Sequence, residues 1–156
     1  MEFTQTNLQS HFLPIQVEKS FKLLGVWACK PYIEEIFIYE KIHHKHFNRN
    51  CIIIGDFNSN ACWDKLHGRR NHSAVVDALS TRGLQSAYHF QTGEVQGGES
   101  QGTFHLYRQK SRSYHIDYCF CDPQRIVNFR ILDDDCWLNY SDHFPIEITL
   151  KFHLES

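Results

Sequence analysis

The segment Cys51-Ile52-Ile53-Ile54-Gly55-Asp56-Phe57-Asn58 gives the clearest indication of the fold. Its β-branched run predicts a short strand buried within a sheet, and Gly55 is where a loop begins. Asp56 and Asn58 stand two residues apart, so both side chains are expected to leave the strand end on the same side. A carboxylate and an amide in this position suit phosphoester hydrolysis, because they can orient a water molecule or contact a phosphate oxygen. A turn after a strand uses the same residue types, so this segment alone leaves a purely structural role equally open.

The flanking segments predict an α/β fold in a single domain. Strands are predicted over residues 12–17, 21–28, 51–54, 103–107, 114–121, 126–132 and 144–152, and helices over 31–47 and 73–82. The glycine-rich polar stretch 91–102 predicts a surface loop. Helices come early and strands late, with neither an internal repeat nor a linker, so one domain over residues 1–156 is expected.

Composition and charge limit the classes of function. The formal net charge is -2, which provides no global positive field for sequence-independent DNA binding, so any contact with nucleic acid would be local. No long apolar run and no signal-peptide pattern is present, which predicts a cytoplasmic protein without membrane insertion. The six cysteines lack paired zinc-ligand spacing, and several lie within apolar runs, so they are predicted to be reduced thiols in the core.

Two further segments carry groups suited to the same chemistry. Asp117 lies among apolar residues in a predicted core strand, and a buried carboxylate needs a partner. Histidine is the most economical partner, and His143 is the candidate, since a carboxylate that accepts the imidazole N–H supports its charged form. Asp142 precedes it in Ser141-Asp142-His143, just ahead of a predicted strand. This segment could provide a metal ligand and a phosphate contact, or it could be a polar turn at the strand start.

Taken together and in this order, the three segments resemble the endonuclease/exonuclease/phosphatase superfamily. This superfamily includes exonuclease III-like abasic-site endonucleases, deoxyribonuclease I, sphingomyelinases and inositol polyphosphate phosphatases. The resemblance covers residues 12–152 and corresponds to the C-terminal half of the family's domain. It implies part of a four-layer α/β/β/α sandwich, mostly the second sheet and its helices. It also implies a metal-dependent phosphodiester hydrolase, a nuclease or a related phosphoesterase.

The roles of individual residues follow from this resemblance. Asp56 and Asn58 would position and activate the attacking water, and Asp117 would orient His143. Asp142 and Asp56 would be the metal ligands, with Mg²⁺ or Mn²⁺ as the cofactor. Asn58 and His143 would contact the substrate phosphate. The partner is therefore expected to be a phosphodiester substrate, with nucleic acid as one candidate.

The sequence departs from the family pattern before Gly55. The family's first half normally supplies an Asn and a metal-binding Glu, and neither Glu18 nor the pair Glu34 and Glu35 lies in a matching context. An N-terminally truncated domain is therefore expected, with weak Mg²⁺ binding and low or no turnover. Two alternatives stay open, an inactive relative of the same fold and an internal start at Met1 within a longer native chain. An uncovered apolar sheet face would further predict self-association.

Three further features of the sequence are less specific indicators of function. Thr103 is interpreted as the first residue of a strand, with a place near the substrate as the alternative. The run Arg108 to Arg112 carries three positive charges, which could attract a polyanion or form a solvated hairpin tip. Trp137 is interpreted as a core residue in preference to a base-stacking platform.

Overall fold

The computed structural model describes residues 11–17 and 21–152. The strands are β1 (Phe12–Val17), β2 (Phe21–Trp27), β3 (Cys51–Asp56), β4 (Gln85–Ser86), β5 (Phe104–His105), β6 (Ser113–Tyr114), β7 (Asp117–Cys121), β8 (Ile126–Ile131) and β9 (Ile146–Leu150). The α-helices are α1 (Ile33–His43), α2 (Asp64–His67), α3 (His72–Ser80) and α4 (Ala87–Thr92). The predicted mixed α/β fold is confirmed.

A five-stranded sheet forms the centre, in the order β1-β2-β3-β7-β4. Strands β2 and β3 are parallel, whereas β1 with β2, β3 with β7, and β4 with β7 are antiparallel. The parallel pair is connected through α1, as expected because parallel neighbours need a crossover that returns the chain to the same edge. Strands β8 and β9 form a separate antiparallel pair.

Alternation along the strands gives the central sheet two apolar faces. Leu24, Val26 and Ile53 point to the face that packs against α1 and α3. Ile52 and Cys119 point to the opposite face, where they join a cluster with residues of α4, β8 and β9. The described residues therefore form a helical layer, the central sheet and the β8–β9 pair. The four-layer sandwich stays a prediction.

Several predicted boundaries were wrong. The first helix ends at His43, and residues 44–46 continue as a 3-10 turn. The predicted strand 103–107 pairs only over Phe104–His105, because Tyr107 and Arg108 adopt left-handed backbone conformations. Helix α4 was missed, and its last residues lie inside the stretch 91–102 that was predicted to be a loop.

The cysteines follow the prediction only in part. All six thiols are free, and Cys51, Cys119 and Cys121 are buried. Cys62 and Cys136 are instead exposed on the 3-10 turns that carry them. None of the helices in the described part of the chain has the length and hydropathy that crossing a bilayer would require.

Candidate active site

Three side chains form a row across adjacent strands of the central sheet. Trp27 at the end of β2 is the register partner of Asp56 at the end of β3. Asp56 is in turn the register partner of Asp117 at the start of β7. Register partners project to the same face with strands about 4.8 Å apart, so the two carboxylates and the indole lie side by side. They lie on the sheet face that also packs against β8 and β9.

Gly55 allows the close strand approach beside this row. Its φ is +144°, and a Cβ atom at this position would stand 2.0 Å from the carbonyl oxygen of Val26. A residue with a side chain therefore cannot replace it without displacing β2. The glycine is thus required by strand packing as well as by the loop that follows.

The loop after β3 folds Asn58 back onto Asp56. Phe57 is fully buried against Tyr118, and its N–H donates to the carbonyl of Ile116 at 2.9 Å. Asn58 has a left-handed backbone, and its N–H and side-chain amide each donate to an Asp56 carboxylate oxygen at 2.8 Å. Asp56 and Asn58 are therefore adjacent as expected, but through a left-handed turn and not through strand alternation. The side-chain NH₂ of Asn58 also donates to the carbonyl of Ala28, which leaves its amide oxygen facing outward from these bonds.

The expected partner of Asp117 is present. The His143 ring Nδ1–H donates to the Asp117 carboxylate at 2.9 Å, and the backbone N–H of His143 donates to the hydroxyl of Ser141 at 3.0 Å. The hydrogen bond to Asp117 raises the pKa of His143 against the opposing effect of burial, and the charges of Asp117, Asp56 and Asp142 add to it. The pair with Asp117 thereby favours the charged imidazolium over the neutral ring.

Thr103 links the segment that carries Asp117 to the segment that carries His143. This link was not evident from the sequence. Its buried hydroxyl accepts the backbone N–H groups of Ile116 and Asp117, at 3.1 and 3.0 Å. Its carbonyl accepts the N–H of Phe144 at 2.7 Å, directly after His143. One residue therefore holds the segment that carries Asp117 and the segment that carries His143. The interpretation of Thr103 as a strand residue was wrong, since β5 begins at Phe104.

Burial and like charges act on Asp56. Burial is the largest cause that raises its pKa to about 6, and the nearby carboxylates of Asp117 and Asp142 contribute in the same direction. The N–H of Asn58 and the His143 ring act against this rise. Two carboxylates side by side with a single cationic neighbour leave unbalanced negative charge at the sheet edge.

The two carboxylates of this group fit a divalent cation. Ligand atoms of Asp56, Asp117 and His143 lie within 4.8 Å of one another, but a charged His143 that donates its Nδ1–H to Asp117 offers no lone pair to a metal. Carboxylate oxygens are the donors that Mg²⁺ and Mn²⁺ prefer, and a cation would relieve the repulsion that raises the pKa of Asp56. Among the described residues, Asp142 is not part of this group, although its charge acts on both Asp56 and His143.

The group opens into a cleft with aromatic walls. The cleft is open to solvent and is lined by residues that include Trp27, Asp56, Trp137, His143 and Phe144. The interpretation of Trp137 as a core residue was wrong, because its exposed fraction is 36%. Trp27, which falls in the predicted strand 21–28, is 63% exposed at the cleft.

The remaining site predictions concern glutamates and the basic run. Glu34 pairs with His67 and Glu35 with His11, so the two helical glutamates are engaged away from the group. Glu18 lies outside the described residues. Within the basic run, Lys110 pairs with Asp135 and lies over the Phe144 ring at 5.8 Å from its centroid.

The central mixed sheet thus carries carboxylates and an Asp–His pair at its strand ends. The chain belongs to the endonuclease/exonuclease/phosphatase family, whose model matches residues 20–143. Comparison with curated protein sequences gives no match.

Several solved structures share the fold. A variant of the 3′ phosphatase NExo from Neisseria, bound to a product DNA hairpin, aligns with a TM-score of 0.62 at 15% identity over 92% of this chain. The endonuclease domain of TRAS1, a telomere-specific non-LTR retrotransposon, aligns with a TM-score of 0.52 at 17% identity over 90% of this chain. A conserved protein of unknown function from Enterococcus faecalis aligns with a TM-score of 0.56 at 16% identity over 85%. The chain spans 65%, 60% and 50% of these three structures.

Proposed function

We propose that the chain is a metal-dependent phosphodiester hydrolase, a nuclease or a related phosphoesterase. The observation that carries the proposal is the contact between Asp117 and His143 at 2.9 Å, beside the carboxylate of Asp56 in one open cleft. A general base near neutral pKa and a cationic phosphate ligand are the two groups that attack of water on a phosphodiester requires. Family membership supports the same class of reaction.

The chain's own residues divide the chemistry between them. Asp56 accepts a proton from a water molecule that Asn58 helps to position through its free amide oxygen. The water oxygen forms a bond to phosphorus while the bond to the leaving oxygen breaks in line. His143, held in its charged form by Asp117, donates to a non-bridging phosphate oxygen and so stabilises the charge that develops there. Without a cation, burial and the neighbouring carboxylates raise the pKa of Asp56 to about 6, and a bound cation would lower it.

Asp56 and Asp117 are the carboxylates placed to hold Mg²⁺ or Mn²⁺. Asp142, whose charge acts on Asp56 from outside this group, is proposed as a further ligand. When bound, such an ion neutralises charge on the phosphate and the leaving oxygen. No glutamate joins the group among the described residues. Binding is therefore proposed to be weak, because few anionic oxygens are on hand.

The small number of carboxylate ligands among the described residues favours a second candidate function. A relative of the fold with too few metal ligands would retain the phosphate-binding pair of Asp117 and His143 and bind its substrate without turnover. We propose this inactive form as the alternative. Metal-dependent turnover separates the two.

We also propose that the chain self-associates through one sheet face. Leu13 and Ile15 on β1 alternate with Phe12, whose ring stacks on the ring of Tyr39 in α1. The two aliphatic side chains therefore point to the other face, where they are 63% and 41% exposed. A second copy that covers this face would remove them from water.

The test is hydrolysis of bis-p-nitrophenyl phosphate with Mg²⁺ or Mn²⁺ by the unchanged chain and by the variants Asp56→Asn and His143→Asn. Each variant should lower the rate by about 10² to 10³, as expected when one positioned group is lost. Leu66→Ala, a change at an exposed residue of α2, serves as the control. Equal inactivity of all four proteins would contradict the enzyme and leave the inactive form.

A further inference from the structure

The two tryptophans of the cleft are unusual in their exposure. Trp27 stands next to Asp56 in the sheet register and is 63% exposed. Trp137, on the 3-10 turn Asp135–Asn139, is 36% exposed and lines the same cleft. Tryptophan is normally well covered in folded proteins, so two accessible indoles in one cleft suggest a planar apolar ligand.

The position of Trp27 fixes where such a ligand would lie. The backbone of Trp27 is one strand spacing, about 4.8 Å, from that of Asp56, and both side chains project to the same face of the sheet. A planar group stacked there is therefore adjacent to the phosphate on which Asp56 and His143 act. In a polynucleotide, each phosphate is separated from a base by a single sugar. An unpaired base can thus reach Trp27 while its phosphate occupies the site, whereas a base stacked inside a duplex cannot turn to it.

The side of the cleft beyond Trp137 carries charges of both signs, with Arg108 and Arg112 on the basic loop and Asp133, Asp134 and Asp135 just before Trp137. The guanidinium of Arg108 donates to the carbonyl of Asn139 at 3.3 Å, two residues after Trp137, and thereby joins the basic loop to the aromatic turn. Arg108 and Arg112 are both exposed. Lys110 is paired with Asp135, so the two arginines are the charges best placed for neighbouring phosphates.

Exposed aromatic side chains on which bases can stack, beside groups that bind the backbone phosphates, are typical of surfaces that bind single-stranded nucleic acid. We propose that the cleft binds single-stranded nucleic acid, with an unpaired base stacked on Trp27 and the strand continuing past Trp137 toward Arg108. This inference rests on the proposed function and specifies its substrate class. Trp27 is then a residue that determines specificity, because it reads the presence of a base and not its identity.

The experiment compares two fluorescent oligomers of roughly eight phosphates, a typical single-strand site size. One carries thymine on every sugar, and the other carries a base-less tetrahydrofuran sugar at every position. Binding is measured by fluorescence anisotropy without divalent cations, so that hydrolysis does not interfere. The two ligands have the same charge, and the difference between them isolates stacking.

The unchanged chain should bind the thymine oligomer more tightly than the base-less oligomer. Trp27→Ala should weaken binding of the thymine oligomer by about tenfold and change the base-less oligomer little, since one stacked base is worth about 1 to 3 kcal/mol. Trp27→Phe should retain most of the affinity. Trp137→Ala, which lies outside the sheet, should show the same selective loss to a smaller extent. Phe90→Ala, an exposed aromatic residue at a different cavity, is the matched control and should behave as the unchanged chain.

Equal binding of the two oligomers by the unchanged chain would overturn the inference. It would show recognition of phosphate alone, as a lipid or inositol phosphate substrate would require. Full thymine-oligomer affinity in both tryptophan variants would overturn it as well. Base-dependent binding without any phosphodiester hydrolysis would contradict the proposed function and leave base recognition standing, whereas hydrolysis without base preference would do the reverse.

Discussion

The contact between Asp117 and His143 is the residue-scale feature on which the proposed chemistry depends. A carboxylate that accepts the Nδ1–H fixes the tautomer and favours the charged ring. The sequence indicated this pairing because a carboxylate inside an apolar strand needs a partner. The sequence did not indicate that Trp27 would be exposed in the same cleft. An apolar run does not show how much of a strand is covered by other elements.

A substitution at Asp117 tests the electrostatics of the pair. Asp117→Asn should lower the pKa of His143, because the hydrogen bond to the Asp117 carboxylate is the largest cause of its rise. The measurement is an NMR titration of the His143 ring, with His143→Asn to assign its signal. Asp142→Asn is the matched control and should lower this pKa less, since Asp142 acts only through its charge. An unchanged titration midpoint in Asp117→Asn would contradict the pairing.

At the scale of elements, strand β7 and the segment before β9 are held together by Thr103. The alternation of apolar residues predicted a continuous strand over 114–121, yet the chain pairs separately as β6 and β7. Between them the N–H groups of Ile116 and Asp117 turn to the Thr103 hydroxyl. The Thr103 side chain thus takes the place of strand-to-strand hydrogen bonds at these two residues. The periodicity of apolar residues cannot reveal such a contact.

Removal of the Thr103 hydroxyl should therefore destabilise the fold. Thr103→Val keeps the shape and leaves two buried N–H groups without their acceptor, which should lower the free energy of unfolding by about 2 to 4 kcal/mol. Urea denaturation measures this change. Thr103→Ser retains the hydroxyl and should lose much less, mainly the packing of one methyl group. Equal stabilities for the valine variant and the unchanged chain would argue against the bridging role.

At the scale of the whole molecule, the class of fold was predictable and the layering was not. Alternating strands and two amphipathic helices predicted one α/β domain, because each pattern depends on local periodicity. The β8–β9 pair covers only part of the central sheet on the face opposite α1. Which sheet face stays exposed depends on contacts between segments that are distant in the sequence. Leu13 and Ile15 are residue types found in protein cores, so the sequence alone does not mark them as exposed.

The exposed sheet face with Leu13 and Ile15 should lead to self-association. Size-exclusion chromatography with light scattering should show a mass that rises with concentration above that of the 18.5 kDa chain. The double substitution Leu13→Lys with Ile15→Lys should return the protein to a monomer, because it places two charges on the proposed interface. Leu66→Lys, also at an exposed leucine but on α2, should still associate. A compact monomer of the unchanged chain at every concentration would refute the proposal.

The proposed hydrolysis depends on Asp56 and His143, which direct water to phosphorus. Its most direct test is hydrolysis of a phosphodiester in ¹⁸O-labelled water with Mg²⁺, followed by mass spectrometry of both products. We expect one ¹⁸O atom in the phosphate-bearing product, none in the released alcohol, and rates lower by about 10² to 10³ in Asp56→Asn and His143→Asn. Label in the alcohol, or turnover no faster than in the absence of the protein, would contradict it.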